Sequence, residues 1–264
     1  MFQTLVKAFK IKEVRRKILF TLLILLVYRI GCFIPVPGIG AEGLLSVDED
    51  NPFLYLQIMS AVSGGALQYG TLFAMGIGPY INASIIIQLL TVGIPALERL
   101  SKQGEEGRKK IATITRYVTV VLAVAQSIGI IIGFSSSIDF TQLFGNDLKW
   151  LGYIALVIIY TSGACLTMWL GERITDYGVS NGISLLIFTG IICTAGNSII
   201  AMFTGEVTNA VWSIVIFVVA AILIFAAVVT VNDAERKIPV QYAKQVKGRK
   251  MYGGQSTHIP IKVN

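Results

Sequence analysis

The chain has 264 residues, of which 54% are hydrophobic and only 14% are charged, and its mean hydropathy is +0.71. An average soluble domain carries about 25% charged residues, so this composition excludes a disordered chain, a disulfide-stapled miniprotein and an ordinary soluble enzyme. Three cysteines in separate apolar stretches and a single histidine indicate neither a disulfide framework nor a multi-histidine metal site. The composition therefore predicts a membrane protein with no metal or other cofactor.

Six apolar segments are long enough to cross a bilayer, which takes about 20 mostly apolar residues. In chain order they are 18–34, 71–97, 111–134, 150–170, 183–203 and 211–231. The sequence therefore predicts an all-α polytopic membrane protein with six transmembrane helices.

The distribution of Lys and Arg predicts the orientation of these spans. Twenty of the 22 fall in segments on the same side as the N-terminus, Lys149 alone falls on the other side, and Arg29 lies inside the first span. Positive residues accumulate on the cytoplasmic side, so both ends of the chain are expected in the cytoplasm. The net charge of +7 then reflects topology and attraction to anionic lipid, and specific DNA binding is not expected.

One uncharged run breaks the simple pattern. Residues 51–97 carry no charge over 47 positions, and as one helix they would be about 70 Å long, over twice the hydrocarbon thickness. The acidic end at 48–50 and the basic end at 99–110 belong on opposite sides, so the number of crossings must be odd. We expect 53–69 to be a short half-helix on the outer side and the remainder to be one span. The alternative is an amphipathic segment that lies on the outer surface of the bilayer.

Four motifs carry a family resemblance. They read RIGCFIPVPGI at 29–39, SGGALQYGTLFAMGIGPYINASIIIQLL at 63–90, TMWLGERITDYGVSNGISLLIFTGI at 167–191 and YAKQVKGRKMYGGQSTHIPIKVN at 242–264. Together they resemble the SecY family, the central channel subunit of the bacterial Sec protein translocase. The resemblance implies a channel that moves unfolded polypeptides across, or laterally into, the cytoplasmic membrane.

The resemblance also implies a domain organisation. SecY channels are built as a ten-helix clam shell of two pseudo-symmetric halves, and this chain is expected to be the N-terminal half followed by one helix, truncated before the second half. Residues 1–17 would be a cytoplasmic basic N-terminus, and 18–203 would hold spans one to five with a re-entrant plug half-helix at about 53–70. Residues 204–232 would be span six, and 233–264 would be a cytoplasmic basic loop.

The family motifs imply roles for particular residues at the centre of the channel. The predicted pore ring consists of Ile77, Ile81, Ile183 and Ile187, two pairs spaced i, i+4 on one helix face each. Branched apolar side chains dewet a constriction, although the same residues can equally face lipid or a neighbouring helix. The predicted plug consists of Ser63, Gly64, Gly65, Ala66, Leu67, Gln68 and Tyr69, for which the alternative is a plain loop.

Other polar and charged residues are candidates for the gate and for partner contacts. Asn82 and Gln126 are predicted to belong to a lateral gate, with an interhelical hydrogen bond as the alternative. Arg249 and Lys250 are predicted to contact the ribosome and the SecA motor, with lipid binding or topology as the alternative. Arg29, an intramembrane charge, is expected either to snorkel or to bond a loop carbonyl.

The resemblance implies SecE and SecG subunits, SecA, the ribosome, signal peptides and nascent chains as partners, besides anionic lipid. No Walker A motif or catalytic constellation is present in the sequence, so no enzymatic activity is expected. The main rival is a secondary transporter with broken helices and inverted repeats. Transporters usually bury ionisable groups for coupling, and Arg29 is the one charge well inside a predicted span.

Overall fold

A computed structural model describes residues 11–40, 54–135, 138–140, 148–204, 210–240, 245–247, 250–252 and 257–262. Its helices are α1 (Lys12–Gly31), α2 (Leu54–Val62), α3 (Gly78–Gly93), α4 (Pro95–Ser101), α5 (Glu105–Gly133), α6 (Lys149–Tyr177), α7 (Gly182–Thr204) and α8 (Ala210–Asn232). Its strands are β1 (Glu235–Val240), β2 (Gln245–Lys247), β3 (Lys250–Tyr252) and β4 (Thr257–Lys262). The chain divides into two compact units, Met1–Ser198 and Ile199–Asn264.

Helices occupy the segments predicted for spans one and three to six, and α6, α7 and α8 each begin one residue before the predicted position. Within the described ranges, three helices are long and apolar enough to cross a membrane: Glu105–Gly133, Lys149–Tyr177 and Ile214–Asn232. The bent pair formed by α3 and α4 adds a fourth if it counts as one span. The apolar part of α7, Gly182–Asn197, is shorter. The described part of the chain is therefore mostly helical, with three or four helices or helix pairs of sufficient length to span.

The half-helix predicted at 53–69 is shorter than expected. The helix α2 ends at Val62, and turns occupy 63–70 instead of a continued helix. Gly64 has a φ of 70° and Gly65 a φ of 86°, values in the left-handed region that glycine adopts without steric cost. These two glycines turn the chain out of the helix.

The prediction of a single helix over 71–97 is also wrong in its bounds. The helix α3 begins at Gly78 and ends at Gly93, and α4 turns away from it by 105°. Pro95 has no N–H and disfavours helical geometry at the residue before it. Ile94 is accordingly extended, with a ψ of 113°. Pro95 therefore ends α3.

Small side chains let the helices of the first unit approach closely. On α5, a buried stripe with a spacing of four consists of Thr115, Thr119, Ala123, Ser127 and Ile131, and α5 packs against α3 and α6. The Thr115 and Thr119 hydroxyls donate to carbonyls one turn earlier, which satisfies them in an apolar setting. At one end, Arg116 Nε donates to Glu172 Oε1 of α6 at 2.8 Å.

The second unit contains β-structure in the segment predicted as a basic loop. Strand β1 pairs antiparallel with β4, with Ile238 opposite Ile259, and β2 pairs antiparallel with β3. The prediction of a cytoplasmic basic loop over 233–264 named no strands, and the structure adds two antiparallel strand pairs there. Both long strands, ERKIPV and THIPIK, contain β-branched residues at alternate positions, a pattern typical of a strand.

Candidate functional site

The seven residues predicted as the plug differ in burial along the turn after α2. The first part of the turn is enclosed by the rest of the unit, and its end is open. Ser63, Gly65, Ala66 and Leu67 are buried, Gly64 and Gln68 are partly exposed, and Tyr69 is exposed. The segment is thus an enclosed turn with an exposed aromatic end.

Ser63 ties the turn to the end of α2. Its hydroxyl donates to the Ser60 carbonyl at 3.0 Å and accepts from the Leu67 amide at 3.2 Å. Further along, the Thr71 hydroxyl donates to the Ala66 carbonyl at 3.2 Å. These local bonds satisfy polar groups that are otherwise left free where a helix ends inside protein, so the turn has a defined shape.

The end of α1 contacts this turn from one side. Arg29 Nη1 donates to the Gly64 carbonyl at 2.9 Å, and the guanidinium lies 4.6 Å from the centre of the Phe33 ring. The Cys32 thiol lies 3.8 Å from the Ser63 carbonyl oxygen. Of the two roles predicted for Arg29, the structure shows the bond to a loop carbonyl.

The middle of α7 contacts the turn from another side. Gly190 lies so close that a Cβ there would overlap the Val62 carbonyl oxygen and come within 3.1 Å of the Gly64 amide nitrogen. Four residues on, the Thr194 hydroxyl is 3.2 Å from the Ala61 carbonyl oxygen. The same hydroxyl is within hydrogen-bond distance of two carbonyls of its own helix. The contact between α7 and the turn is therefore made mostly by main-chain atoms.

The predicted ring residues meet in one hydrophobic cluster. Ile77 is 4% exposed inside it, and Ile81, Ile183 and Ile187 are partly buried against it. A Cβ on Gly171 of α6 would lie 3.3 Å from Ile183 Cγ1 and 3.5 Å from Ile77 Cδ1. The structure thus brings the α3 and α7 pairs together over α6, while their lining of a pore stays a prediction.

The two predicted gate residues lie on helices that pack against each other, Asn82 on α3 and Gln126 on α5. Both side chains are partly exposed. Neither forms a hydrogen bond with another residue in the part of the chain that the structure describes, so the structural alternative of an interhelical bond has no support there. The gate role stays a prediction.

The predicted partner-contact residues are only partly covered by the structure. Arg249 lies outside the described residues. Lys250 begins β3, and its main chain pairs with Lys247 of β2. The role in ribosome or SecA contact stays a prediction.

Sequence reasoning did not identify the residues of α6 and α7 that make close contacts. Gly190 contacts the turn after α2, and a Cβ on Gly182 would overlap the Gly171 carbonyl of α6. Glycine inside an apolar helix usually has a packing reason, and this signal was present at all three positions. The partners of Gly190, which are Val62 and Gly64, lie far away in the chain, however, so this contact could not be read from one sequence.

These observations define a helical membrane protein in which a short helix and its turn are held among longer apolar helices. Comparison with known proteins gives the family: the SecY family model matches residues 71–264. The chain belongs to the SecY family.

Individual relatives agree with this assignment. The chain is similar to the protein translocase subunit SecY of Halalkalibacterium halodurans (43% identity over 272 residues) and of Bacillus subtilis (39% identity over 272 residues). In both cases the whole chain is covered, but only 62% of the relative. The chain therefore spans less than two thirds of the length of these curated relatives.

Solved structures share the fold at lower identity. A protein-conducting channel matches with a TM-score of 0.58 at 21% identity, covering 94% of this chain and 53% of that one. A SecY structure, whose plug domain is reported to stabilise the closed state of the translocation channel and to maintain a membrane seal, matches with a TM-score of 0.59 at 20% identity. It covers 95% of this chain and 52% of that chain. Sec61 from a canine ribosome–channel complex matches with a TM-score of 0.55 at 19% identity over 86% of this chain and 50% of its own.

Proposed function

We propose that the chain supplies part of a protein-conducting channel that moves unfolded polypeptides across, or laterally into, a membrane. The observation that carries this proposal is membership of the SecY family over residues 71–264. The curated relatives are longer than this chain, so the activity is proposed for a channel of their full length. No enzymatic activity is assigned to the chain.

The proposed topology has six spans with the N-terminus in the cytoplasm of a bacterium. It is supported by the one-sided distribution of Lys and Arg and by a helix in each of the six predicted segments. Span two, at 71–97, is proposed to comprise α3 and the turns before it. The bacterial relatives support the cytoplasmic membrane as the location.

The proposed closed state combines a plug with an apolar ring. The plug is the turn 63–69, and the ring comprises Ile77 and Ile81 of the α3 segment with Ile183 and Ile187 of α7. Branched apolar side chains offer no ligands to ions and make a narrow constriction dewet. Support comes from the shared cluster of the four isoleucines and from the enclosed turn beside it. Asn82 and Gln126 are proposed to tune lateral opening.

The proposed partners follow from the family. Signal peptides and nascent chains are the cargo, SecE and SecG are the companion subunits, and SecA or the ribosome delivers the cargo. The canine ribosome–channel complex among the structural neighbours supports a ribosome partner. Arg249 and Lys250 belong to a segment rich in Lys and Arg, which suits both RNA phosphates and anionic lipid.

The function is tested with a chimera in which this chain replaces the segment that it matches in the SecY of Bacillus subtilis. Cells depleted of their own SecY should export a secreted enzyme that carries a signal peptide when they express the chimera. The same enzyme without its signal peptide is the control and should stay inside. Failure of a stably inserted chimera to restore export would contradict the proposal.

A further inference from the structure

The end of α2 and the turn after it present main-chain carbonyls to two different helices. Arg29 of α1 bonds the Gly64 carbonyl at 2.9 Å, and Thr194 of α7 reaches the Ala61 carbonyl at 3.2 Å. The last carbonyls of any helix lack partners within it. Here groups from both neighbouring helices satisfy carbonyls at the end of α2 and in the turn that follows it.

We infer that Arg29 and Thr194 act as a clamp that holds the turn after α2 in its enclosed position, with Arg29 as the main positioning residue. We call this pair the plug clamp. The inference rests on the proposed plug, because it identifies the side chains that determine how readily the plug moves out of its enclosed position. It concerns the main chain of the turn rather than its side chains.

The charge of Arg29 suits this position. A guanidinium in an apolar setting needs partners, and the C-terminal end of a helix carries partial negative charge. The ring of Phe33 adds a cation–π contact at 4.6 Å. Hydrogen bonds to charged groups are about twice as strong as neutral ones, so Arg29 should contribute more than Thr194, whose hydroxyl is shared among three carbonyls.

The geometry leaves room for the guanidinium because Gly64 has no side chain. A Cβ on Gly64 would lie 2.9 Å from Arg29 Nη1 and 3.3 Å from the Gly190 Cα. Gly64 also has a φ of 70°, a value that side-chain-bearing residues rarely adopt. Arg29 therefore contacts bare main chain at Gly64, between α1 and α7, and release of the turn must break this bond.

Cys32 provides a native reporter of the position of the turn. Its side chain is 4% exposed, and its thiol lies 3.8 Å from the Ser63 carbonyl oxygen. If the turn leaves, the thiol becomes accessible, and the labelling rate follows the population of the open state. The assay is N-ethylmaleimide labelling of the 264-residue chain in membrane vesicles, with Cys165 and Cys193 replaced by serine.

Three variants and one matched control test the clamp. Arg29→Gln should raise the labelling rate of Cys32 about ten- to hundredfold, and Thr194→Val should raise it about two- to tenfold. Arg29→Lys keeps the charge and should label more slowly than Arg29→Gln. The control is Thr189→Val, because among the described residues the Thr189 hydroxyl bonds only Leu185 of its own helix, and its labelling rate should equal that of the parent.

A second background separates release of the turn from general loosening. With Cys165 of α6 as the sole cysteine, the same variants should leave its labelling unchanged. The clamp is overturned if Arg29→Gln and Thr194→Val label Cys32 no faster than Thr189→Val does, or if Cys165 labelling rises in parallel. Export by the unaltered chimera is scored separately, so failure of the clamp is distinguishable from failure of the proposed channel function.

Discussion

Replacing Gly190 by alanine tests whether close main-chain packing holds the turn after α2. The added methyl group would overlap the Val62 carbonyl oxygen and lie 3.1 Å from the Gly64 amide nitrogen. Both neighbours are main-chain atoms, so neither can rotate away as a flexible side chain can. The turn and α7 must therefore separate by about 1 Å to restore ordinary van der Waals distances.

The magnitude follows from two opposing effects. Alanine stabilises a helix by about 0.5–1 kcal/mol relative to glycine, but α7 remains helical whether the turn is enclosed or released, so this gain cancels. Overpacking costs about 1–3 kcal/mol and applies only to the enclosed state. We therefore expect Gly190→Ala to raise the population of the released turn about 5- to 150-fold.

The Cys32 labelling assay measures this change, and Gly196→Ala is the matched control. Gly196 lies on the same helix, but nothing lies within 4 Å of a Cβ at that position among the described residues. Its alanine variant should label Cys32 at the parent rate. Equal rates for Gly190→Ala and Gly196→Ala would refute the steric argument.

The remaining predictions concern topology, an ion pair and the seal. Externally added impermeant maleimide should label Lys149→Cys but not Lys109→Cys in a background without native cysteines, and labelling at 109 would overturn the topology. Arg116→Ala should lower the free energy of unfolding in detergent by at most about 1 kcal/mol, because half of the Arg116 side chain is exposed to solvent, which weakens its ion pair with Glu172. A loss above about 3 kcal/mol, read from denaturant titration, would contradict this. Deletion of 63–69 from the chimera should raise ion conductance in a planar bilayer while export persists, and an unchanged conductance would count against a sealing role.

Much of the helical architecture follows from the sequence alone. The apolar segments bounded by charges correctly predicted the positions of α1, α5, α6, α7 and α8, since a bilayer requires long stretches without charge. The break at Pro95 was missed because an uncharged segment was read as continuous up to Leu97, although proline marks a boundary. The end of α2 was misplaced because the half-helix was expected to continue to Tyr69, past Gly64 and Gly65, where the structure has a turn.

The site was predictable only where a local signal existed. The bond of Arg29 to a loop carbonyl was one of two expectations, because an intramembrane charge needs a partner. Its partner Gly64 lies 35 residues away in the chain, and Gly190 is further still, so tertiary packing decided these contacts. The strands after α8 were not predicted because each long strand contains a proline, Pro239 or Pro260, and proline within a run argues against a strand.

The central claim, that the chain lines a path for polypeptides, is tested most directly by site-specific crosslinking in the chimera. A secretory chain is stalled during translocation, and single cysteines are placed at Ile81 and Ile187, with Leu89 as the lipid-facing control because it is 68% exposed. The account predicts efficient crosslinks from positions 81 and 187 to the stalled chain and few from position 89. Crosslinks at 81 and 187 that are no stronger than those at 89 would contradict it.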